Sequence, residues 1–238
     1  MDINCYLKVI NLSNIDITFC AGVFVVPPQD LQVRTRLETL ILDDNKLRVK
    51  SWQRLATFLA MSFNLREVSL KSCGIDDTAF LGISKVLPYV SKLTKLDMTY
   101  NRISDFSLCN PEGLIQLLTK KSCPPFEYLG FESNHITDKA AESLIIALQK
   151  SKSINRLNLS ANQITDEFAI WLGRYLKTQR LERNKYLLTR IDLQHNGLTS
   201  NLKVIEKQLR ENYVKKLNFN KPAQVQELTK LRKNHSVY

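Results

Sequence analysis

The sequence contains few of the residues that mark specialised classes of chain. Only 7 of its 238 residues are glycine and 7 are proline, which excludes collagen and low-complexity composition. Its five cysteines are odd in number and show no C-x-x-C spacing, so they do not form the framework of a small disulfide-stapled domain. With 44% hydrophobic and 24% charged residues, the chain has the composition of a globular protein that buries its own core. We therefore expect free thiols and a cytoplasmic protein.

The sequence also lacks segments that would direct it to or through a membrane. Asp2 stands where a secretory signal would carry positive charge. The longest early apolar stretch, 19–28, is about ten residues, which is too short to span a bilayer. We expect neither a signal peptide nor a transmembrane helix.

Charge is unevenly distributed along the chain. Lys and Arg number 34 against 23 Asp and Glu, for a formal net charge of +11. Residues 171–238 hold 15 basic and 5 acidic residues, whereas residues 1–170 hold 19 and 18. The basic character therefore belongs to the C-terminal third, which favours acidic partners there.

One sequence pattern, LxxLxLxxNxL, recurs through the chain, and the prediction of the fold depends on it. Its six copies begin at positions separated by 28, 28, 33, 28 and 34 residues, namely Leu37, Leu65, Leu93, Phe126, Ile154 and Leu188. Degenerate copies flank them, one at 7–17 with Ile15 in the Asn position, and one at 214–219. Such atypical terminal copies are the capping repeats that a stacked array requires.

The spacing within a copy predicts a short strand, because the apolar fourth and sixth positions point to one face. Strands that pair in parallel need a crossover between them. The segments after Thr137 and Thr165 provide it, with apolar residues four apart and Asp138 and Asp166 in the first turn. Another crossover helix is predicted to open with Asn110 as the N-cap and Pro111 at its first position.

The motif, together with a helix that opens on Ile-Thr-Asp at a 28-residue period, resembles the ribonuclease-inhibitor subtype of the leucine-rich repeat family. The resemblance implies an α/β solenoid, a horseshoe with a parallel concave sheet, convex helices and about eight repeats including caps. It would form a single domain over 1–238, with an N-terminal capping repeat at 1–36, six regular repeats at 37–213, and a C-terminal cap and basic tail at 214–238.

In that family the Asn position of the motif turns inward and bonds backbone groups of its own and the adjacent repeat. We assign the matching residues to a structural ladder rather than to function, because a buried amide without partners costs about 1–3 kcal/mol. They are Asn45, Cys73, Asn101, Asn134, Asn162 and Asn196, of which Cys73 departs from the pattern.

The third position of each copy is predicted to point into the concave face and to form a column across the strands. This column turns basic halfway along the array, and the fifth position beside it carries short, mostly polar side chains. We predict that a partner binds there, in contact with Glu67, Lys95, Tyr128, Arg156, Arg190 and Lys216.

The sequence shows no catalytic constellation. Its three histidines are far apart, and phosphate-binding, metalloprotease and nucleophile-elbow motifs are absent from it. We therefore predict a protein that is not an enzyme and that has no catalytic residues, cofactor or metal site.

Three functions remain open from the sequence. The first is a protein–protein interaction scaffold with an acidic partner. Ribonuclease inhibitor itself is acidic and grips basic ribonucleases, which this basic chain would repel. A chain of this subtype also resembles secreted effectors of intracellular bacterial pathogens, which would place it in the host cytosol.

The second function is binding of nucleic acid or an anionic membrane by the basic C-terminal third. The third follows from a resemblance to the activator of the Ran GTPase, and it implies that Arg48 or Arg102 is exposed to a GTPase. The sequence does not identify the partner, the source, the oligomeric state or the role of the basic tail.

Overall fold

The fold is a single parallel sheet backed by helices. A computed structural model of the chain describes residues 7–15, 36–47, 49–150, 153–181, 188–198 and 216–218. Eight three-residue strands pair in parallel in chain order, without exception. They are β1 (Val9–Asn11), β2 (Thr39–Ile41), β3 (Glu67–Ser69), β4 (Lys95–Asp97), β5 (Tyr128–Gly130), β6 (Arg156–Asn158), β7 (Arg190–Asp192) and β8 (Lys216–Asn218).

The register of the strands is constant, so equivalent motif positions lie side by side. Leu40 is paired with Val68, and Val68 with Leu96, and the same holds for the fourth position across the remaining strands. These fourth-position side chains are at most 1% exposed between β2 and β7 and point toward the helices. The third and fifth positions point the other way and form the concave surface.

Among the described residues, six helices lie on the convex side between β2 and β7. They are α1 (Val49–Met61), α2 (Asp77–Val86, followed by a 3-10 turn at Leu87–Tyr89), α3 (Asp105–Leu108), α4 (Leu114–Leu118), α5 (Asp138–Leu148) and α6 (Asp166–Leu181). Each of the longer helices has an apolar stripe on the core. In α5 the buried side chains include Ala140, Ala141, Leu144 and Leu148, at the spacing of one helix face. The leucine-rich-repeat horseshoe predicted from the sequence is confirmed.

The predicted helix start at Pro111 is wrong, because residues 110–113 form a turn. The side-chain Oδ1 of Asn110 accepts from the backbone N–H of Glu112, and its backbone carbonyl accepts from Gly113. Gly113, in extended backbone, is the N-cap of α4. A Cβ there would lie 2.2 Å from the backbone oxygen of Ser107, so only glycine allows this close approach. The longer fourth repeat therefore holds two short helices, α3 and α4, instead of one.

The eighth motif position adopts the left-handed conformation in every repeat whose turn the structure describes. The φ values lie between 52° and 59° at Asn14, Asp44, Ser72, Tyr100, Ser133, Ala161 and His195. Asn, Asp and His tolerate this region best among residues with a side chain, whereas a bulky aromatic residue does so poorly. Tyr100 is therefore the most strained member of the series.

The asparagine positions form a continuous buried ladder. From the second repeat to the seventh, the residue at this position donates to the sixth-position carbonyl of the preceding repeat. The distances are 2.7 Å from Asn45 to Leu12, 2.9 Å from Asn101 to Leu70, 2.9 Å from Asn134 to Met98, 2.8 Å from Asn162 to Phe131 and 2.9 Å from Asn196 to Leu159. At Cys73 the thiol Sγ lies 3.1 Å from the carbonyl of Leu42, which is a weaker bond.

A second ladder, which the sequence did not predict, joins the helix starts. The carboxylate of Asp105 accepts from the backbone N–H of Thr137 at 2.9 Å and from its hydroxyl at 2.5 Å. Asp138 accepts from Thr165 in the same way, at 2.8 and 2.5 Å. Thr137 makes no side-chain cap in its own helix, so its hydroxyl serves the contact between repeats instead.

Asp77 belongs to the same ladder and carries three hydrogen bonds. It accepts from the backbone N–H of Ser104 at 2.8 Å, from the Ser104 hydroxyl at 2.6 Å and from the Ser107 hydroxyl at 2.5 Å. Burial raises the pKa of Asp77, but the hydrogen bonds from Ser104 and Ser107 outweigh it and hold the pKa below its ordinary value. The acidic residues of the helix starts thus tie neighbouring repeats together.

Candidate functional site

The candidate binding column lies on consecutive strands of the concave sheet. The register pairs Glu67 with Lys95, Lys95 with Tyr128, Tyr128 with Arg156, and Arg156 with Arg190. Neighbouring members therefore stand about 4.8 Å apart along the sheet. Lys216 continues the column in β8, but its side chain lies outside the described residues. The five described side chains are all half-buried, so each keeps a surface open to a ligand.

Tyr128 lies across the middle of this column between two cations. The Nζ of Lys95 is 5.9 Å from the ring centroid, and the guanidinium carbon of Arg156 is 5.2 Å from it. Both distances are within the range of a cation–π interaction. The ring is therefore held by the strands on both sides, β4 and β6.

Gly130 allows Tyr128 to lie flat on its own strand. A Cβ at Gly130 would be 2.6 Å from the Tyr128 hydroxyl and 2.8 Å from Oδ1 of Asp97. Burial, with a smaller contribution from the negative charge of Asp97, raises the pKa of Tyr128 to about 12. The phenol therefore stays neutral and serves as a fixed polar contact in the groove.

Two arginines share one buried carboxylate at the C-terminal side of Tyr128. Asp192, whose side chain is 5% exposed, lies 3.2 Å from Nη2 of Arg156 and 2.9 Å from Nε of Arg190. A buried carboxylate with two charge-assisted partners fixes both guanidinium groups in place. Asp192 thus holds two positively charged side chains from adjacent strands side by side in this part of the groove.

The N-terminal part of the column is neutralised by pairs. Nζ of Lys95 is 2.5 Å from Oε1 of Glu67, and Nζ of Lys71 is 3.4 Å from Oδ2 of buried Asp97. The other oxygen of Asp97 accepts from the Thr99 hydroxyl at 2.6 Å. The two ends of the groove therefore differ in charge. On the N-terminal side each cation has its own carboxylate, whereas on the C-terminal side two arginines share one.

A cavity of about 560 Å³ opens beside these pairs, at the end of the groove where the strands begin. Glu67, Lys95, Tyr128 and Arg156 all line it, together with the second-position side chains of Arg66 and Glu127. The structure therefore brings four of the six predicted binding residues to one cavity. Arg190 is linked to that cluster through Asp192.

Sequence reasoning placed Asp97 and Asp192 at the fifth position among short polar residues, but it did not predict that Asp97 pairs with Lys71 or that Asp192 pairs with two arginines. For Asp192 the signal was available, because the third positions of its own strand and of both neighbouring strands are basic, namely Arg190, Arg156 and Lys216. Of the two arginines considered for a GTPase contact, Arg102 is exposed and Arg48 lies outside the described residues.

The thiols offer little chemistry in the part of the chain that the structure describes. Cys73, Cys109 and Cys123 are free. Burial raises the pKa of Cys73 to about 12 and that of Cys123 to about 11, so neither forms a thiolate at neutral pH. Across these same residues, no group of three or more His, Cys, Asp or Glu side chains is placed to hold a metal ion. None of the described helices is both long and apolar enough to cross a membrane.

Comparison with known proteins agrees with the repeat pattern. A family model described as a leucine-rich repeat matches residues 91–105 and 150–167. The chain is 28% identical over 200 residues to NACHT, LRR and PYD domains-containing protein 3 of Macaca mulatta, which is 82% of this chain and 18% of that protein. Its human counterpart is 29% identical over 192 residues, 79% of this chain and 17% of that protein.

Among solved structures, an internalin of Listeria monocytogenes has a TM-score of 0.47 and 19% identity, covering 91% of this chain and 54% of that one. This chain spans less than a fifth of the length of the two relatives that carry the NACHT, LRR and PYD name. The matched repeats lie on strands and helices of the solenoid described above. Residues 91–105 and 150–167 are therefore leucine-rich repeats by the family model, and the chain is similar over most of its length to relatives that contain such repeats.

Proposed function

We propose that the chain is a non-catalytic interaction scaffold whose concave face binds another protein. Glu67, Lys95, Tyr128, Arg156, Arg190 and Lys216 are the contact residues of this proposal. The observation that carries it is the arrangement around Tyr128 and Asp192, where aromatic and arginine side chains are fixed before any partner arrives. Tyr and Arg, together with Trp, are the residues enriched among binding hot spots.

Preorganisation is the physical reason that this groove suits binding. An exposed ion pair contributes about 0–1 kcal/mol, so no single charge in the column decides affinity. Ordering a long side chain on binding costs about 0.5–1.5 kcal/mol, and Arg156 and Arg190 are already ordered by Asp192. A partner therefore gains contacts without this cost.

The partner that fits is a protein with an acidic surface. Arg156 and Arg190 share the single carboxylate of Asp192, and the chain is strongly basic beyond residue 170. Opposite charge steers encounter and fixes orientation more than it adds affinity. The free thiols favour the cytoplasm as the compartment of this scaffold.

Replacing Arg156 and Arg190 together with glutamine tests the groove. Glutamine is preferable to glutamate, because glutamate would set new carboxylates beside the buried Asp192. The matched control replaces Lys139 and Arg174, exposed on α5 and α6, with glutamine and changes the net charge equally. Proteins captured from lysate by the wild-type chain are then measured against each purified variant by calorimetry.

We expect the groove variant to bind at least about tenfold more weakly and the convex control to bind like the wild type. Circular dichroism checks that both variants remain folded. Equal affinity of all three proteins would eliminate the concave face as the binding surface.

A second candidate, polyanion binding, is favoured by the charge of residues 171–238, with 15 basic against 5 acidic residues. Binding of this kind releases counterions and weakens steeply as salt rises. Titration with duplex DNA and with phosphatidylserine vesicles at about 50 and 200 mM salt separates it from protein capture. Retention of the captured protein at the higher salt argues for the scaffold.

A further inference from the structure

A second cavity, of about 370 Å³, lies between the ends of α4 and α5 and the starts of β5 and β6. Its walls come from two neighbouring repeats, and it shares no lining residue with the cavity in the concave groove. Hydrogen bonds fix the turn of the first wall, from the backbone N–H of Lys120 to Leu117 at 2.9 Å and from that of Cys123 to Lys120 at 3.2 Å. A volume of this size is typical of a site for a small molecule.

The walls of this cavity carry positive charge only. Lys120, Lys121 and Lys150 line it and are exposed, and no acidic residue lines it. The sequence around the walls, 113–126 and 143–165, contains no Asp or Glu. In the part of the chain that the structure describes, none of the three lysines forms an ion pair with a carboxylate. Three positive charges therefore face one cavity without a negative charge beside them.

The interior of the cavity does not neutralise these lysines. Leu118 and Pro124 are buried and apolar. Burial raises the pKa of the Cys123 thiol to about 11, so this side chain carries no negative charge at neutral pH. The hydroxyl of Thr119 donates to the backbone carbonyl of Gln116 at 2.8 Å. The cavity thus has an uncharged interior and a cationic rim.

We propose that this cavity binds a small molecule that carries at least two phosphate groups. A phosphate monoester has a charge of about −1.5 to −2 at neutral pH, so two such groups balance three lysines within a small volume. The ammonium group of lysine binds phosphate as a compact point charge with three donors. The ligand is either a free molecule or the headgroup of a lipid, since both present the same phosphate chemistry.

Calorimetric titration of the full chain with inorganic pyrophosphate tests the proposal. The cavity variant combines Lys120→Gln, Lys121→Gln and Lys150→Gln, which removes the three charges and keeps polar side chains. The matched control makes the same change of net charge at three exposed residues near the opposite edge, where the strands end. Its substitutions are Lys46→Gln, Arg102→Gln and Lys139→Gln.

We expect saturable binding by the wild type, with a dissociation constant that rises at least about tenfold in the cavity variant and less than about twofold in the control. Amide NMR shifts on titration should concentrate at residues 118–125 and at Lys150 and Ser153. Circular dichroism checks that both variants remain folded. A wild type that does not bind overturns the proposal, as does equal weakening in both variants, which would indicate attraction by net charge alone. A cavity variant that is less stable but binds like the wild type also overturns it, because the lysines would then serve only the helix ends.

A second pair of titrations identifies the source of the phosphate groups. One uses free inositol 1,4,5-trisphosphate, and the other uses vesicles whose lipid carries the same headgroup. Binding to the vesicles at least about tenfold tighter than to the free molecule, and lost in the cavity variant, assigns the site to a lipid headgroup. Binding to the free molecule that is as tight or tighter assigns it to a soluble ligand. Failure of either titration leaves the concave groove unaffected, because none of the substituted residues lies in it.

Discussion

Replacing Asn134 with alanine tests how much one rung of the ladder contributes to stability. The side chain is 4% exposed in the middle of the array. Its Oδ1 accepts from the backbone N–H of Ile103 at 2.9 Å. Its Nδ2 donates to three carbonyls, those of Met98 at 2.9 Å, Phe131 at 3.2 Å and Glu132 at 3.1 Å. Alanine removes all four hydrogen bonds.

The consequences for the four backbone groups are unequal. Each carbonyl keeps another donor, namely Asn101 at Met98, Asn162 at Phe131 and the backbone N–H of Tyr100 at Glu132. The N–H of Ile103, a fully buried residue, loses the acceptor that the structure gives it. An orphaned buried donor costs about 1–3 kcal/mol, and the space left by the side chain adds about 1 kcal/mol. We therefore expect a loss of about 2–4 kcal/mol.

Thermal and urea unfolding followed by circular dichroism measure this loss. For a domain of this size it corresponds to a fall in Tm of roughly 5–15 °C. The control is Asn155→Ala, the same chemical change at an exposed position, which should stay within about 0.5 kcal/mol of the wild type. In the opposite direction, Cys73→Asn should raise stability by about 0.5–1.5 kcal/mol, because it supplies the amide that this rung lacks. An Asn134→Ala protein as stable as the Asn155→Ala control would refute the reasoning.

Two further changes probe the second ladder and the groove. Because the pKa of Asp77 is lowered in the folded state, its contribution is present above the unfolded value and is lost as pH falls through the lowered value. Asp77→Asn should therefore lower the free energy of unfolding by about 1 kcal/mol at pH 7. The difference in this free energy between variant and wild type, measured by urea unfolding, should become smaller below about pH 4. A difference that stays constant with pH contradicts this. Gly130→Ala should lift the Tyr128 ring off its strand and lower the Tyr128 pKa from about 12 toward its ordinary value, measured by NMR of labelled tyrosine. An unchanged titration would show that the glycine is not needed for this arrangement.

The sequence predicted the parts of the molecule that depend on periodicity. Strand positions, sheet order and the concave column all follow from the spacing of apolar residues, because a constant register brings equivalent positions together. Periodicity did not predict where α4 begins, because the contact that requires glycine at position 113 is with the backbone of Ser107 in another helix. Such a contact has no signature in local sequence.

The groove was predicted as a set of residues but not as an arrangement. The side chains of the third position were expected to point into the concave face and to contact a partner, and their pairing with one another was not predicted. In the structure Arg156 and Arg190 meet at Asp192, because a short acidic side chain on β7 lies within reach of both strands. Whether a long side chain turns to its own strand, a neighbouring strand or solvent depends on sheet curvature and rotamer. Neither can be read from one sequence.

These internal pairs change how the groove can recognise a partner. A carboxylate that approaches Lys95 meets Glu67 already bound at 2.5 Å, so it gains little unless it displaces that residue. A carboxylate that approaches the two arginines meets Asp192, their shared partner, whose side chain is 5% exposed. Among the described third-position side chains, the positive charge that is not paired with an exposed carboxylate is therefore that of Arg156 on β6 and Arg190 on β7. An acidic residue of the partner should accordingly dock beside Tyr128 on its C-terminal side, with the ring and the fixed guanidinium groups setting its position.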